Sequence, residues 1–375
     1  MHLRRPLLPM AMMICFAPAL CGCAQTPSLK RTYQNDFLIG VALGGTLPTD
    51  YGPAELAVIR GQFNAVTPEN CMKPGLIHPG QDTWNFAQAD ALVNFAQENH
   101  MQIFGHTLLW HHETPDWFFQ DDAKPASREK ILARLKNHIQ TLVGRYKGKI
   151  RGWDVVNEAI ANEPGRDLRK TPWLDSLGED YLIQAYRFAH EADPAAELQY
   201  NDYGIESPPK RQKAIRLIKR LQAAGIPLAA VGIQGHWILD RVPFADIDQA
   251  IDQFHALGVK VNISELDLDV LPRHSGAEVN PTGADNSLAT AATRPLPEIF
   301  QRQAEQYAKL FALFHKHRDA ITRVTFWGLS DGRSWLNDYH HQRRIDYPLL
   351  FDRQSQPKPA FYAVIDVLAN PATRP

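Results

Sequence analysis

The sequence predicts an α/β fold in which eight parallel strands close into a single (β/α)8 TIM barrel. Eight short apolar runs alternate along the chain with stretches of helical periodicity. In the clearest stretch, Ile131, Leu135, Ile139 and Leu142 recur every three or four residues. The runs are apolar on both faces, which is typical of parallel strands covered by helices. Eight repeats within about 340 residues favour a closed barrel over an open, doubly wound sheet.

The predicted elements follow one another in regular order. Strands are expected at residues 37–43, 63–68, 102–110, 150–157, 197–202, 230–237, 260–266 and 324–328. Helices are expected at residues 54–62, 86–99, 131–146, 179–191, 209–224, 244–257, 298–317 and 360–368. Residues 271–296 are rich in Gly, Pro, Ala and Thr, which predicts an irregular rim loop after the seventh strand.

The composition argues against a charged partner. Hydrophobic residues make up 44% of the chain, which allows a large core, and the net charge is −1. Because there is no basic surplus, the sequence predicts neither a nucleic-acid partner nor electrostatic binding to an anionic membrane. The chain also holds eight Trp and eleven Tyr, whose flat faces suit the stacking of sugar rings and hence a neutral ligand.

Residues 1–23 are predicted to be an export signal that is not part of the fold. A short basic head precedes an apolar stretch at residues 7–20, which is too short and too rich in Pro to span a bilayer stably. The stretch ends in Leu20-Cys21-Gly22-Cys23, which resembles the lipobox of bacterial lipoproteins. Under that interpretation Cys23 is lipidated, whereas the alternative is simple cleavage near Ala24.

The rest of the chain is expected to form a tether and one domain. Residues 24–30 are predicted to be a polar tether, and residues 31–372 the barrel domain. The protein is therefore expected to be exported, as a periplasmic or outer-membrane lipoprotein if Cys23 is lipidated and as a secreted protein otherwise. Membrane attachment is expected only through that lipid.

The cysteines and paired histidines predict no metal site and no cofactor. Outside the signal Cys71 is the one cysteine, so an internal disulfide is excluded and a buried, inert thiol is expected. The pairs His111-His112 and His340-His341 resemble metal ligands in isolation. Since adjacent residues on a strand face opposite ways, we interpret both pairs as polar rim residues.

Polar residues collect where the predicted strands end, which is where such barrels carry catalytic groups. Glu158 follows the fourth strand and Glu265 follows the seventh, at opposite positions of the barrel. Hydrolysis of a glycosidic bond needs a proton for the leaving oxygen and an anion facing the developing oxocarbenium ion. Two neighbouring carboxyl groups have pKa values that move apart, so one is expected to stay protonated and the other ionised.

Six segments in order resemble the family 10 glycoside hydrolases, the endo-β-1,4-xylanases, over about residues 35–370. The segments are Thr67-Pro68-Glu69-Asn70-Cys71-Met72-Lys73, Gly105-His106-Thr107-Leu108-Leu109-Trp110-His111, Trp153-Asp154-Val155-Val156-Asn157-Glu158-Ala159, Gly232-Ile233-Gln234-Gly235-His236-Trp237, Ser264-Glu265-Leu266-Asp267 and Trp327-Gly328-Leu329-Ser330-Asp331. The resemblance implies xylan and xylo-oligosaccharides as substrates.

The resemblance also assigns the catalytic roles. It implies that Glu158 is the acid/base and Glu265 the nucleophile of a retaining double displacement, with carboxyl groups ~5–5.5 Å apart. Asn157 is then expected to bond the sugar 2-hydroxyl, a bond that strengthens in the transition state.

Three further residues are expected to support the two glutamates. By the resemblance, His236 contacts the nucleophile, Asp267 bonds the other nitrogen of that imidazole, and Gln234 lies near Glu158. Independently of the resemblance, residues two apart on a strand point to the same side, so Glu265 and Asp267 should share a face.

The substrate-binding residues are likewise implied by the resemblance. The tryptophans are expected to crowd the position of a hydroxymethyl group and so to favour xylose, which has none, over glucose. The residue after the Met-Lys pair is Pro74 where many family members have Trp, which puts the number of distal subsites in doubt. The expected contacts are Glu69, Asn70, Lys73 and His106 on the non-reducing side, Trp110, Trp327 and Trp335 as walls, and Tyr203 on the leaving-group side.

Two other functions are open alternatives. One is a relative that acts on cellulose or mixed β-glucan, which requires room beside Trp327 and Trp335. The other is a catalytically silent lipoprotein that captures glycans at the cell surface. A pure binder has no need of both glutamates together with Asn157 and the His236–Asp267 pair.

Overall fold

The computed structural model describes residues 27–122, 124–271, 294–341 and 343–369. Eight parallel strands pair in the order β8-β1-β2-β3-β4-β5-β6-β7, and β7 pairs with β8, so the sheet closes. The predicted (β/α)8 TIM barrel is confirmed. The strands are β1 (Leu38–Leu43), β2 (Ala65–Pro68), β3 (Gln102–Trp110), β4 (Gly152–Asn157), β5 (Glu197–Asp202), β6 (Leu228–Ile233), β7 (Lys260–Asp269) and β8 (Ile321–Phe326).

Helices lie between the strands and cover the barrel. Their buried faces carry the periodic apolar residues that predicted them; in the helix after β3, for example, Ile131, Leu135 and Ile139 are buried. The helices are α1 (Leu29–Thr32), α2 (Pro53–Gln62), α3 (Pro74–Ile77), α4 (Ala87–Glu98), α5 (Arg128–Arg145), α6 (Pro172–Leu177), α7 (Asp180–Ala192), α8 (Pro208–Ala223), α9 (Phe244–His255), α10 (Leu296–Lys316) and α11 (Pro359–Ala369).

The sixth predicted strand differs from the observed one. The run at residues 230–237 is divided, because the chain bends at Gly235, whose φ of 86° lies in the left-handed region. After the bend, residues His236–Ile238 form a short separate strand that pairs with the end of β7, with His236 opposite Asp267. The bend therefore places a histidine beside the carboxyl end of the seventh strand.

The packed body begins before residue 31, where the domain was expected to start. Leu29 is fully buried, and the Ser28 hydroxyl donates to Gly61 O at 2.7 Å. Residues 28–30 therefore belong to the fold, because α1 caps apolar surface that a free tether would leave exposed. The predictions for the export signal, for Cys23, for residues 272–293 of the rim loop and for the domain end at 372 lie outside the described residues.

The barrel interior carries a polar ladder beneath the site. The Gln199 amide links Asn262 to Asp154, donating to Asp154 Oδ1 at 2.7 Å, and Asp154 Oδ2 in turn lies 2.8 Å from His106 Nδ1. These groups are buried, so each needs its partners. The ladder therefore fixes the orientation of His106 at the mouth of the barrel.

Cys71 is a buried free thiol, and burial raises its pKa to about 12, which agrees with the expected inert cysteine. Among the described helices, none is both long and apolar enough to cross a bilayer.

Candidate active site

A cavity of about 160 Å³ opens at the carboxyl ends of the strands. Every residue that lines it was expected at the site from the sequence. The lining residues are Glu69, Asn70, Lys73, His106, Trp110, Asn157, Glu158, His236, Glu265, Trp327 and Trp335.

Glu158 lies directly after β4 and is buried. Its backbone has φ 58°, a left-handed conformation that costs energy for a residue with a side chain and turns the chain sharply at the end of the strand. Trp110 Nε1 donates to one carboxylate oxygen at 3.0 Å, and Gln234 Nε2 donates to the other at 3.0 Å. Burial, followed by the charge of Asp202, raises the pKa of Glu158, so the carboxyl group favours its protonated form.

Glu265 lies within β7 and is held in the opposite protonation state. Asn201 Nδ2 donates to Glu265 Oε1 at 2.6 Å, and His236 Nε2 lies 3.0 Å from Oε2. Burial by itself acts to raise the pKa of Glu265, but the bond from His236, the nearby His106 and the bond from Asn201 together lower it below its usual value. The carboxylate is therefore ionised when Glu158 is still protonated.

His236 forms a bridge between two carboxylates. Its Nδ1 lies 2.9 Å from Asp267 Oδ2, and its Nε2 faces Glu265. Burial acts to lower the pKa of His236, but the two carboxylates outweigh it and raise the pKa to about 9. At neutral pH the ring is thus an imidazolium that donates both N–H groups. Trp335 Nε1 donates to the same Asp267 oxygen at 2.8 Å, so one carboxylate orients both rings.

Asn201 is a site residue that the sequence did not single out. Besides donating to Glu265, its Nδ2 lies 3.0 Å from the side-chain oxygen of Asn157, and its own oxygen accepts from the Ser264 hydroxyl at 2.5 Å. Asn201 stands at the end of the predicted fifth strand, where polar residues collect, but the resemblance implies Tyr203 as the contact in that region. Asn201 on β5 and Gln234 after β6 lie between the two glutamates, because β4 to β7 are consecutive neighbours in the barrel.

Replacing Asn201 with alanine is expected to lower kcat/KM and to move the acidic limb of its pH profile to higher pH. The change removes a buried hydrogen bond to an anion, which contributes roughly 1.5–3 kcal/mol, or about 10–100-fold in rate. Without that donor the pKa of Glu265 rises, so a higher pH is needed to ionise it. Steady-state kinetics from acid to neutral pH measures both effects; an unchanged acidic limb would contradict this role.

The side of the cavity that is expected to bind the sugars on the non-reducing side is polar. Lys73 Nζ donates to Asn70 Oδ1 at 2.9 Å and lies 5.0 Å from the centre of the Trp110 ring. Burial raises the pKa of Glu69, although Lys73 opposes the shift. The Trp327 ring meets His106 edge-on, with ring centres 5.2 Å apart. These contacts hold hydrogen-bonding groups and indole faces around one small space.

Tyr203 does not line this cavity. Its hydroxyl accepts from Asn162 Nδ2 at 2.7 Å and from an Arg169 guanidinium nitrogen at 2.8 Å. Arg169 Nε also donates to the backbone oxygen of Glu158 at 3.2 Å. Tyr203 is therefore linked to the acid/base candidate through Arg169, and its expected place on the leaving-group side stays a prediction.

The comparison with known families settles what kind of protein carries this site. Residues 28–367 match the family model described as glycosyl hydrolase family 10. The chain belongs to glycosyl hydrolase family 10. This family 10 hydrolase is 41% identical to endo-1,4-beta-xylanase B of Paenibacillus barcinonensis, over 91% of this chain and 98% of the relative. It is 39% identical to a beta-1,4-xylanase of Dictyoglomus thermophilum, over 91% of both chains.

Solved structures resemble the family 10 hydrolase closely. The xylanase of Paenibacillus barcinonensis in complex with a conduramine derivative superposes with a TM-score of 0.82 at 41% identity, over 91% of this chain and 99% of that one. A mutant in complex with xylotriose superposes with a TM-score of 0.84 at 36% identity, over 91% of this chain and all of the other.

Proposed function

We propose that this family 10 hydrolase is a retaining endo-1,4-β-xylanase, with Glu158 as acid/base and Glu265 as nucleophile. The observation that carries the proposal is the opposite shift of two carboxyl groups on one cavity. Glu158 favours the protonated state and Glu265 the ionised state. A glycosidase requires one carboxyl group that donates a proton and a second that is an anion.

In the first step Glu265 attacks the anomeric carbon of the sugar. The bond to the leaving oxygen breaks, its electron pair stays on that oxygen, and Glu158 gives the oxygen its proton. The product is an ester between the sugar and Glu265. The imidazolium of His236 is oriented by Asp267. It stabilises the Glu265 carboxylate before the attack and again when the carboxylate leaves the sugar.

In the second step water hydrolyses the ester. Glu158, now ionised, takes a proton from the water as its oxygen bonds to the anomeric carbon, and Glu265 leaves as a carboxylate. Both carboxyls thus return to their starting states. Asn157 lies between Asn201 and Gln234 at the cavity wall, where its amide suits a bond to the sugar 2-hydroxyl.

The choice of xylose rests on the indole walls and on the named relatives. Trp110, Trp327 and Trp335 all line the cavity, and its small volume suits a sugar without a hydroxymethyl arm. Trp335 is tied to Asp267, so it cannot swing aside without losing a hydrogen bond. Glu69, Asn70, Lys73 and His106 supply the polar contacts.

Reducing ends released from xylan and from a soluble cellulose distinguish the alternatives. Glucose carries a hydroxymethyl group that xylose lacks, and rejection of one such group in a tight pocket gives a roughly 10–200-fold preference for xylan over cellulose. Replacing Trp335 with alanine is expected to narrow that preference, whereas alanine at Trp84, which stacks on His78 away from the cavity lining, is expected to leave it unchanged. Faster release of reducing ends from cellulose than from xylan contradicts the proposal of a xylanase. Binding of xylan without release of reducing ends supports the catalytically silent glycan binder.

We also propose that the protein is exported and anchored through Cys23. The support is the basic head, the short apolar stretch and the lipobox-like ending of residues 1–23. Mass spectrometry of the mature N-terminus is the test. A diacylglyceryl group on Cys23 supports anchoring, and an unmodified end near Ala24 contradicts it.

A further inference from the structure

Two histidines follow the third strand directly and turn toward Glu158. β3 ends at Trp110, so His111 and His112 lie in the turn beyond it. Their rings have centres 4.2 Å apart and an interplanar angle of 41°. The expectation that these two side chains face opposite ways is therefore wrong, because the strand has already ended. The side chains of His340 and His341 lie outside the described part of the chain.

Ligand atoms of His111, His112 and Glu158 all lie within 4.8 Å of one another. We propose that these three residues form a binding site for a divalent transition-metal ion such as Zn²⁺, and that its occupation blocks the acid/base. The inhibitory part rests on the proposed role of Glu158. Two imidazole nitrogens and one carboxylate oxygen are a ligand set that suits zinc and copper.

The site needs only a small adjustment to close on an ion. Zinc–ligand distances of 2.0–2.2 Å place tetrahedral ligands about 3.4 Å apart. Since the ligand atoms lie within 4.8 Å of one another, they must approach by no more than about 1.4 Å. Both histidines are only partly buried. Glu158 is held by Trp110 and Gln234 and stays in place, and an ionised carboxylate offers further lone pairs beside those two bonds.

Metal at this site would stop both chemical steps. Binding of the ion displaces the Glu158 proton to solvent. The metal-bound carboxylate then has no proton to give to the leaving oxygen, and it no longer accepts one from water. The effect is reversible, since no covalent bond or change of oxidation state is involved. Three protein ligands would leave a fourth position for water, as in zinc sites of this kind.

A second group on the outside of the barrel serves as the matched control. Asp248, Asp252 and His317 also bring three ligand atoms within 4.8 Å. Asp248 is already bonded to Lys316 Nζ at 2.6 Å and to His317, so its charge is neutralised by its own neighbours. The Asp252→Asn variant removes a ligand there and leaves the His111–His112–Glu158 site untouched.

Calorimetric titration of the chelator-treated full chain with ZnCl₂, alongside xylan hydrolysis with and without ZnCl₂, tests the site. We expect binding and reversible inhibition in the parent and in Asp252→Asn, with activity restored by EDTA. His111→Ala, His112→Ala and Glu158→Ala are each expected to weaken Zn²⁺ binding by at least the roughly 10–100-fold that loss of an outer partner costs. The two histidine variants should also resist inhibition, relative to their own activity without metal.

The outcomes separate this inference from the xylanase proposal. Unchanged Zn²⁺ affinity in the histidine variants, or binding abolished by Asp252→Asn, overturns the site. Calorimetry reports binding even if the protein releases nothing from xylan, in which case the failure belongs to the proposed function alone. Binding that depends on both histidines but leaves xylan hydrolysis unaffected overturns the inhibitory role.

Discussion

Glu265→Ala is expected to lower xylan hydrolysis by roughly 10⁵-fold or more, the scale seen when a covalent nucleophile is removed from an enzyme. The side chain is the only part of Glu265 that can form the sugar ester. It is also the group that Asn201 and His236 hold ionised. Reducing-end assays on xylan measure the loss, and circular dichroism checks that the barrel remains folded.

Azide can replace the missing carboxylate of Glu265→Ala, and the stereochemistry of its product makes this test specific. Azide fits the space left by Glu265→Ala and attacks a β-linked aryl xyloside from that side, so the expected product is the α-xylosyl azide. Glu206→Gln is the matched control: Glu206 is also buried, and it accepts from Trp237 Nε1 at 2.8 Å, which glutamine still permits. A β-azide from Glu265→Ala, or an equal loss in Glu206→Gln, would show that Glu265 is not the nucleophile.

Glu158→Ala is expected to reduce xylan hydrolysis by roughly 10²–10⁴-fold, the usual contribution of a general acid/base. The loss should depend on the leaving group. A sugar hydroxyl needs the proton of Glu158, whereas dinitrophenolate leaves without it, so formation of the ester should stay fast on a dinitrophenyl xyloside. Hydrolysis of the sugar ester on Glu265 should be slow, because the general base Glu158 is missing. Stopped-flow absorbance should therefore show a burst of dinitrophenol before a slow steady state.

The pH profile gives a second readout of Glu158. Burial and the charge of Asp202 raise the pKa of Glu158, so the parent should lose activity only as the pH rises through that raised value. In Glu158→Ala this basic limb should disappear from the residual hydrolysis of xylan, while the acidic limb set by Glu265 remains. Azide should now yield the β-xylosyl azide, since it attacks the ester from the face opposite Glu265. A basic limb that survives the substitution would assign the proton donor elsewhere.

Much of this site was predictable because its signals are local. Apolar runs ending in carboxylates identify strands and the groups at their tips, and barrel geometry brings all such tips to one end. Glu158 and Glu265 are predicted in this way, and the resemblance to the family implies the other cavity-lining residues. Side chains alternate between the two faces of a strand, so the spacing of Glu265 and Asp267 predicted that both point to the same face. In the structure both carboxylates contact His236.

The predictions failed where the chain leaves regular structure. His111 and His112 lie beyond the end of a strand, so strand alternation did not apply to them. Gly235 bends the sixth run and sets His236 opposite Asp267. Leu29 looked like part of a polar tether because its burial depends on partners that are distant in sequence.

The sequence by itself determined the class of the fold and the two carboxyl groups of the site. Only the tertiary structure decided which of the two is protonated and which is ionised. Asn201 reaches Glu265 across 64 residues of sequence, and Gln234 reaches Glu158 across 76. Those contacts exist because closure of the barrel makes β4 to β7 neighbours, and burial and hydrogen bonding then move the two pKa values in opposite directions. Such effects depend on distances in space, which no local pattern of residues contains.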